Sequence, residues 1–105
     1  GRGVKLDKKK AARLFRMAAD RGSAVAQFRV AQLLFAEEKF EEAFRYFALA
    51  ANQGYTDGEH NLGVCYRDGD GTEVDLGKGR YWLERAAAKG DEGATNVLAA
   101  LDAQV

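Results

Sequence analysis

Two alanines followed three residues later by glycine occur three times in this chain, at Ala18-Ala19 with Gly22, Ala50-Ala51 with Gly54, and Ala86-Ala87 with Gly90. The copies are 32 and 36 residues apart. A self-match at that period marks a helical solenoid, in which each supersecondary unit buries its apolar face against its neighbours. The spacing therefore constrains the fold to all-α and the function towards presenting a surface.

Alignment outward from the alanines defines two helix families. Leu14, Tyr46 and Trp82 fall together, as do Phe15, Phe47 and Leu83, and then Ala18, Ala50 and Ala86. Apolar residues at i, i+3, i+4 and i+7 give one helix face. These B helices are expected near 8–21, 39–53 and 76–89, with Leu14, Tyr46 and Trp82 in the core. Asp7 and Asp75 sit at N-cap positions, and Gly22, Gly54 and Gly90 sit just past each C-terminus. Between them Ala26, Gly58 and Ala94 align, followed by Val30, Leu62 and Leu98, and by the small residues Ala31, Gly63 and Ala99. These A helices are expected near 23–36, 57–68 and 92–103, giving the order B-A-B-A-B-A.

The copies are unequal. Gly69 to Asp75 forms a Gly-Asp-Gly-Thr-Glu-Val-Asp connection, and Gly1 to Asp7 matches it in register. The middle copy has Glu37-Glu38-Lys39-Phe40 in its place. The expected organisation is a single solenoid domain. It comprises a partial repeat (loop and helix B) over 1–22, a short repeat over 23–56, a full repeat over 57–92 and a partial repeat (helix A) over 93–105.

Leu62-Gly63, Tyr66, Gly69, Gly71, Asp75, Lys78, Trp82, Ala86-Ala87 and Gly90 together resemble the Sel-one-like repeat, a relative of the tetratricopeptide repeat. Residues 23–56 are closer to a short tetratricopeptide repeat. Thr72 and Gly79 depart from the pattern, and Gly79 weakens its helix by about 1 kcal/mol relative to Ala. The resemblance implies a right-handed α-solenoid of antiparallel helix pairs that binds other proteins, with the A helices lining the concave surface.

Composition excludes several function classes. The formal net charge is zero over 105 residues, which argues against a nucleic-acid binder. The charge is polarised: residues 1–21 hold eight Lys or Arg against Asp7 and Asp20. That basic end fits a solvated face or an acidic partner better than phosphate. The single cysteine, Cys65, excludes an internal disulfide and favours a cytoplasmic setting. No apolar run approaches the roughly 20 residues of a membrane span. The opening Gly-Arg-Gly-Val does not read as a native start, so the chain is expected to be part of a longer array.

No reaction chemistry converges. His60 and Cys65 project apart on one helix and lack a third group. One Cys and one His do not make a zinc site, and Asp68-x-Asp70-Gly71-x-Glu73 reads as a turn with solvated acids, since Thr72 and Glu73 break the calcium pattern. No enzyme, metal or cofactor is expected.

The first A helix leaves almost no polar face: Val25, Ala26, Phe28, Val30, Ala31, Leu33, Leu34, Phe35 and Ala36. Such a helix is either fully buried or offers its outer face to a ligand. Two readings follow. In one, Phe28 and Phe35 anchor a peptide or helix on the concave face, with Gln32 between them. His60, Val64 and Arg67, then Asn96, continue the stripe and give direction. In the other, both rings pack between helices and the chain is an architectural segment of a longer array. The first B helix has no A partner before it, so Leu14, Phe15 and Met17 should be partly uncovered and open to head-to-tail self-association.

Overall fold

The computed structural model describes residues 2–104 and consists of six helices, with no strand among the described residues. They are α1 (Arg2–Asp20), α2 (Ala24–Ala36), α3 (Phe40–Asn52), α4 (Thr56–Asp68), α5 (Leu76–Ala88) and α6 (Glu92–Asp102). Here α1, α3 and α5 are the B-type helices and α2, α4 and α6 the A-type. Each helix packs on the next, giving a solenoid with extents of 50 × 23 × 22 Å.

The repeated alanines and glycine have a backbone role. Gly22, Gly54 and Gly90 adopt φ of +97°, +82° and +95°, the left-handed conformation that ends a helix at least cost when the residue lacks a Cβ. The Gly22 N–H donates to the Ala19 carbonyl (2.9 Å) and the Ser23 N–H to the Ala18 carbonyl (3.1 Å). The same pair of bonds recurs at Gly54 and Tyr55 onto Ala51 and Ala50, and at Gly90 and Asp91 onto Ala87 and Ala86. The alanines thus accept the capping bonds. Their small side chains also admit the next helix: a Cβ on Gly58 would lie 2.9 Å from Ala50 Cβ. Two helix starts are then fixed by side chains, with Ser23 accepting from the Ala26 N–H and Asp75 from the Lys78 N–H.

Small residues also set the crossing of α4 and α5. A Cβ on Gly63 would lie 2.6 Å from Leu83 Cγ and 3.0 Å from the Gly79 carbonyl oxygen. Gly79, unfavourable for helix propensity, is what permits this approach. The core falls into two clusters. One runs from Ala19 through Phe28, Val30, Leu34 and Phe47 to Leu62 and Cys65; the other holds Leu83, Ala86, Ala94 and Leu101.

A polar clasp ties consecutive repeats on each side of α3. Glu59 is fully buried, yet Arg85 Nε donates to its Oε2 at 3.0 Å and Lys89 Nζ to its Oε1 at 2.9 Å. Lys89 Nζ also donates to the Gly54 carbonyl at 2.7 Å. One repeat earlier Gln53 does the same, donating to Gln27 Oε1 (2.8 Å) and to the Gly22 carbonyl (2.9 Å).

The seam between each A-type helix and the preceding B-type helix is filled three ways. Phe44 meets Tyr66 edge-on with centroids 5.3 Å apart, and Arg80 pairs with Asp102 at 2.8 Å. The equivalent positions in the first seam are Ala12 and Leu34, the least bulky of the three pairs.

Two expectations are corrected. Residues 2–7 do not form a copy of the Gly69–Asp75 loop: α1 already begins at Arg2, and Asp7 lies inside it rather than capping it; Gly1 is outside the described residues. The second loop is held by its surroundings, because Gly71 (φ +75°) lies directly against the Phe40 carbonyl and the Phe44 side chain. Among the described residues no B-type helix precedes α1 to supply such a surface. Leu14 is also not core. It is exposed, whereas Tyr46 and Trp82 are half-buried, because among the described residues no A-type helix covers that side of α1.

Two stability measurements check this packing. Gly71→Ala should lower the urea-unfolding free energy by about 1–3 kcal/mol, through strain and collision with the Phe40 carbonyl; an unchanged midpoint would contradict the loop placement. Arg85→Ala/Lys89→Ala, which strands the buried Glu59 carboxylate, should lower the urea midpoint clearly, and adding Glu59→Gln should restore most of the loss.

Candidate functional site

The residues expected to form an interaction stripe on the A-type helices have different fates. Phe28 is 5% exposed and belongs to an aromatic ladder within the middle repeat. Its ring lies 5.9 Å from Phe47 and 5.4 Å from Tyr55. Phe35 packs edge-on to Phe40 at 4.9 Å and also meets Phe47, but remains 38% exposed. Phe28 therefore has no surface left for a ligand, and Phe35 does. The two rings share Phe47 as a neighbour. They differ because Tyr55, leading into α4, closes the Phe28 end of the ladder.

Gln32 is exposed and accepts a hydrogen bond from Arg29 Nη1 at 3.0 Å. Val64 is half-buried beside the second core cluster, and Asn96 is exposed on α6. His60 and Arg67 are already engaged. His60 Nδ1 donates to Asp91 Oδ2 at 2.6 Å, and the ring lies so close to Gly93 that a Cβ there would sit 2.8 Å from His60 Cε1. His60 thus locks α4 to the start of α6. Arg67 makes a two-point contact with its neighbour Asp68, at 2.7 and 2.9 Å. That hydrogen bonding raises the Arg67 guanidinium pKa and holds the Asp68 carboxyl below its ordinary value.

The open stripe on α2 and α4 is displaced by about one residue from the one expected. Val25, Arg29, Gln32 and Ala36 are exposed on α2; Asp57 and Asp68 are exposed on α4, with Asn61 and Val64 half-buried between them. The polar residues Asp57, Asn61 and Asp68, at helical spacing, carry the signal that sets this phase. On α2 only Arg29 and Gln32 carry a matching signal, and the buried Gln27 counters it.

Cys65 is 2% exposed, and burial, reinforced by Asp70 and Asp68, pushes its thiol up to about 12. The thiolate is the reactive form, so the group is chemically quiet. Among the described residues, no group of three or more His, Cys, Asp or Glu is placed to hold a metal ion. Also among them, no helix is long and apolar enough to cross a membrane.

The Sel1 repeat family model matches residues 1–23, 24–55 and 56–91. The chain belongs to the Sel1 repeat family. Solved relatives share the architecture. A Sel1 repeat protein from Oxalobacter formigenes superposes with a TM-score of 0.79 at 32% identity, covering 83% of this chain and 26% of that one. A protective antigen of uropathogenic Escherichia coli with an SLR fold gives 0.74 at 31% identity, covering 79% and 19%. Among curated proteins, the DAP3-binding cell death enhancer 1 of Rattus norvegicus is 34% identical over 97 residues, which is 90% of this chain and 19% of that protein. The chitin synthase regulator SKT5 of Saccharomyces cerevisiae is 34% identical over 94 residues, covering 84% and 14%. The chain thus spans less than a fifth of the length of these curated relatives. Sel1 repeat proteins generally mediate protein–protein interactions.

The Cys65 environment is directly testable. In the folded protein at pH 8 a thiol reagent such as DTNB should leave Cys65 unmodified over minutes, and in urea it should titrate one thiol per chain. Rapid native labelling would show that the α3–α4 seam opens readily.

Proposed function

We propose that this Sel1 repeat chain is a non-catalytic scaffold that holds a peptide or helix of a partner protein along the open stripe of its A-type helices. The observation that carries the reading is exposure at matched positions of two A-type helices: Val25 and Gln32 on α2, with Phe35 beside them, have Asp57 and half-buried Val64 as their equivalents on α4. Phe35 supplies an apolar anchor on rigid aromatic support, and Gln32, Asn61 and Asn96 supply amides for a partner backbone. Phe28 shapes the surface from beneath, His60 ties α4 to the start of α6, and Arg67 is paired with its neighbour Asp68. A scaffold of this kind suits relatives whose names describe a DAP3-binding protein and a regulator of chitin synthase.

An architectural role has its own support. Leu14, Phe15 and Met17 are 55%, 37% and 46% exposed, whereas Phe47 and Leu83, the equivalents of Phe15, are 2% and 0% exposed. That face of α1 is built to receive another A-type helix, from an adjoining repeat or head-to-tail from a second copy.

Immobilised chain should retain a defined set of proteins from its native source. Phe35→Ser/Gln32→Ala should lose them while keeping its helical circular dichroism at the assay temperature, with a lower melting temperature because Phe35 packs on Phe40 and Phe47. Unchanged retention by that variant would refute the stripe, and loss with Phe15→Asp instead would favour the architectural role.

A further inference from the structure

The shortened middle repeat leaves one seam of the solenoid open. In the next repeat the Gly69–Asp75 connection turns back across the preceding B-type helix, with Gly71 against Phe40 and Phe44. Its Gly69 N–H and Asp70 N–H donate to the Cys65 carbonyl, and its Asp75 N–H returns to the Tyr66 carbonyl. Cys65 is buried beneath it. The middle repeat has only Glu37, Glu38 and Lys39 between α2 and α3. Leu33, the equivalent of Cys65, is 43% exposed against 2%.

Lys8 and Ala12 are the equivalents of Phe40 and Phe44, the surface on which the loop lies. With no loop and with Ala12 in place of an aromatic ring, a cavity of about 470 Å³ remains between α1 and α2. Leu33 and Leu34 form its apolar floor, and Lys8, Lys9, Arg13 and Arg16 stand around it. Glu37 also lines it but is paired with Lys39 at 3.2 Å. Among the described residues none of the four α1 cations is held in an ion pair. The corresponding rim of the next seam carries Glu41 and Glu42 where this one has Lys9 and Lys10. The cationic rim belongs to the open seam alone.

We infer that the α1–α2 seam binds an acidic, extended segment of a partner protein, which lies where the missing loop would lie and inserts an apolar residue against Leu33 and Leu34. Charge complementarity selects the acidic partner. The apolar floor selects a peptide over a bare polyanion, since phosphate contacts alone have no use for two leucines. The chain's own loop indicates the form of such a segment: Gly-Asp-Gly-Thr-Glu-Val-Asp is short, extended and acidic, with one apolar side chain. This site lies apart from the Gln32 stripe and does not depend on it.

The test uses fluorescence anisotropy with a labelled peptide carrying that seven-residue sequence between Gly-Ser flanks. Binding should weaken at least about tenfold with Lys9→Glu/Arg13→Glu and on raising salt across the Debye range. It should also be lost when the peptide acids become amides. Ala12→Phe, which fills the cavity without altering charge, should weaken it by a similar factor, as should the neutral Leu33→Ser at an exposed position should Ala12→Phe prove unstable. No binding up to about 1 mM peptide would overturn the proposal. So would binding that ignores both Ala12→Phe and Leu33→Ser, or an oligouridylate that binds as tightly with the same indifference; the last result would mark a plain polyanion patch. Phe35→Ser should leave the peptide affinity unchanged, which separates this site from the A-helix stripe.

Discussion

Every repeat in this molecule depends on how its A-type helix is seated on the B-type helix before it. Helix pairs in a solenoid contact only their neighbours, so the joint between repeats carries the long-range order that a globular core would otherwise supply. The Ala-Ala…Gly element makes that joint possible. Its carbonyls cap the helix, its glycine reverses the chain, and its small side chains let the next helix settle within van der Waals distance. The glutamine and lysine that clasp the preceding glycine carbonyl then fix the angle of the joint.

With the joint fixed, the residues filling the seam are free to vary, and that variation separates one repeat from another. An aromatic pair fills one seam and an ion pair another, while an alanine and a leucine leave the first partly open. A binding surface on a repeat protein needs no special fold. It needs one joint in which an insertion or a side chain is withheld, while the clasps on either side keep the frame rigid. Here the clasp through Gln53 and Gln27 lies at the opposite end of the same repeat from the open seam.

Much of this was legible in the sequence. Spacing gave the helix order, the C-terminal glycines and the Asp75 cap, because these are local and repeat in register. The N-terminal Gly-x-Gly…Asp was misread because the same letters form a loop only when a preceding helix offers Phe40 and Phe44 to lie on. Phe28 could not be assigned by periodicity, since α2 is apolar on nearly every face and the polar Gln27 is buried while Arg29 and Gln32 are exposed. Tyr55, from outside the helix, decides it. The burial of Glu59 is not legible from local pattern, because its partners Arg85 and Lys89 lie 26 and 30 residues away. Its alignment with Gln27, and of Lys89 with Gln53, was the available signal: two polar pairs at matched positions in a pattern otherwise apolar.

The most direct measurement is to return the missing loop. Replacing Glu37-Glu38-Lys39 with the Gly-Asp-Gly-Thr-Glu-Val-Asp of the next repeat restores the period of its neighbour. A seam left open for want of that loop should close: urea stability should rise by about 1–2 kcal/mol as Leu33 is covered, and amide exchange across α1 and α2 should slow. A grafted chain that is less stable than the parent, with α1 and α2 exchanging faster, would contradict the idea that the loop and the open seam are two states of the same site.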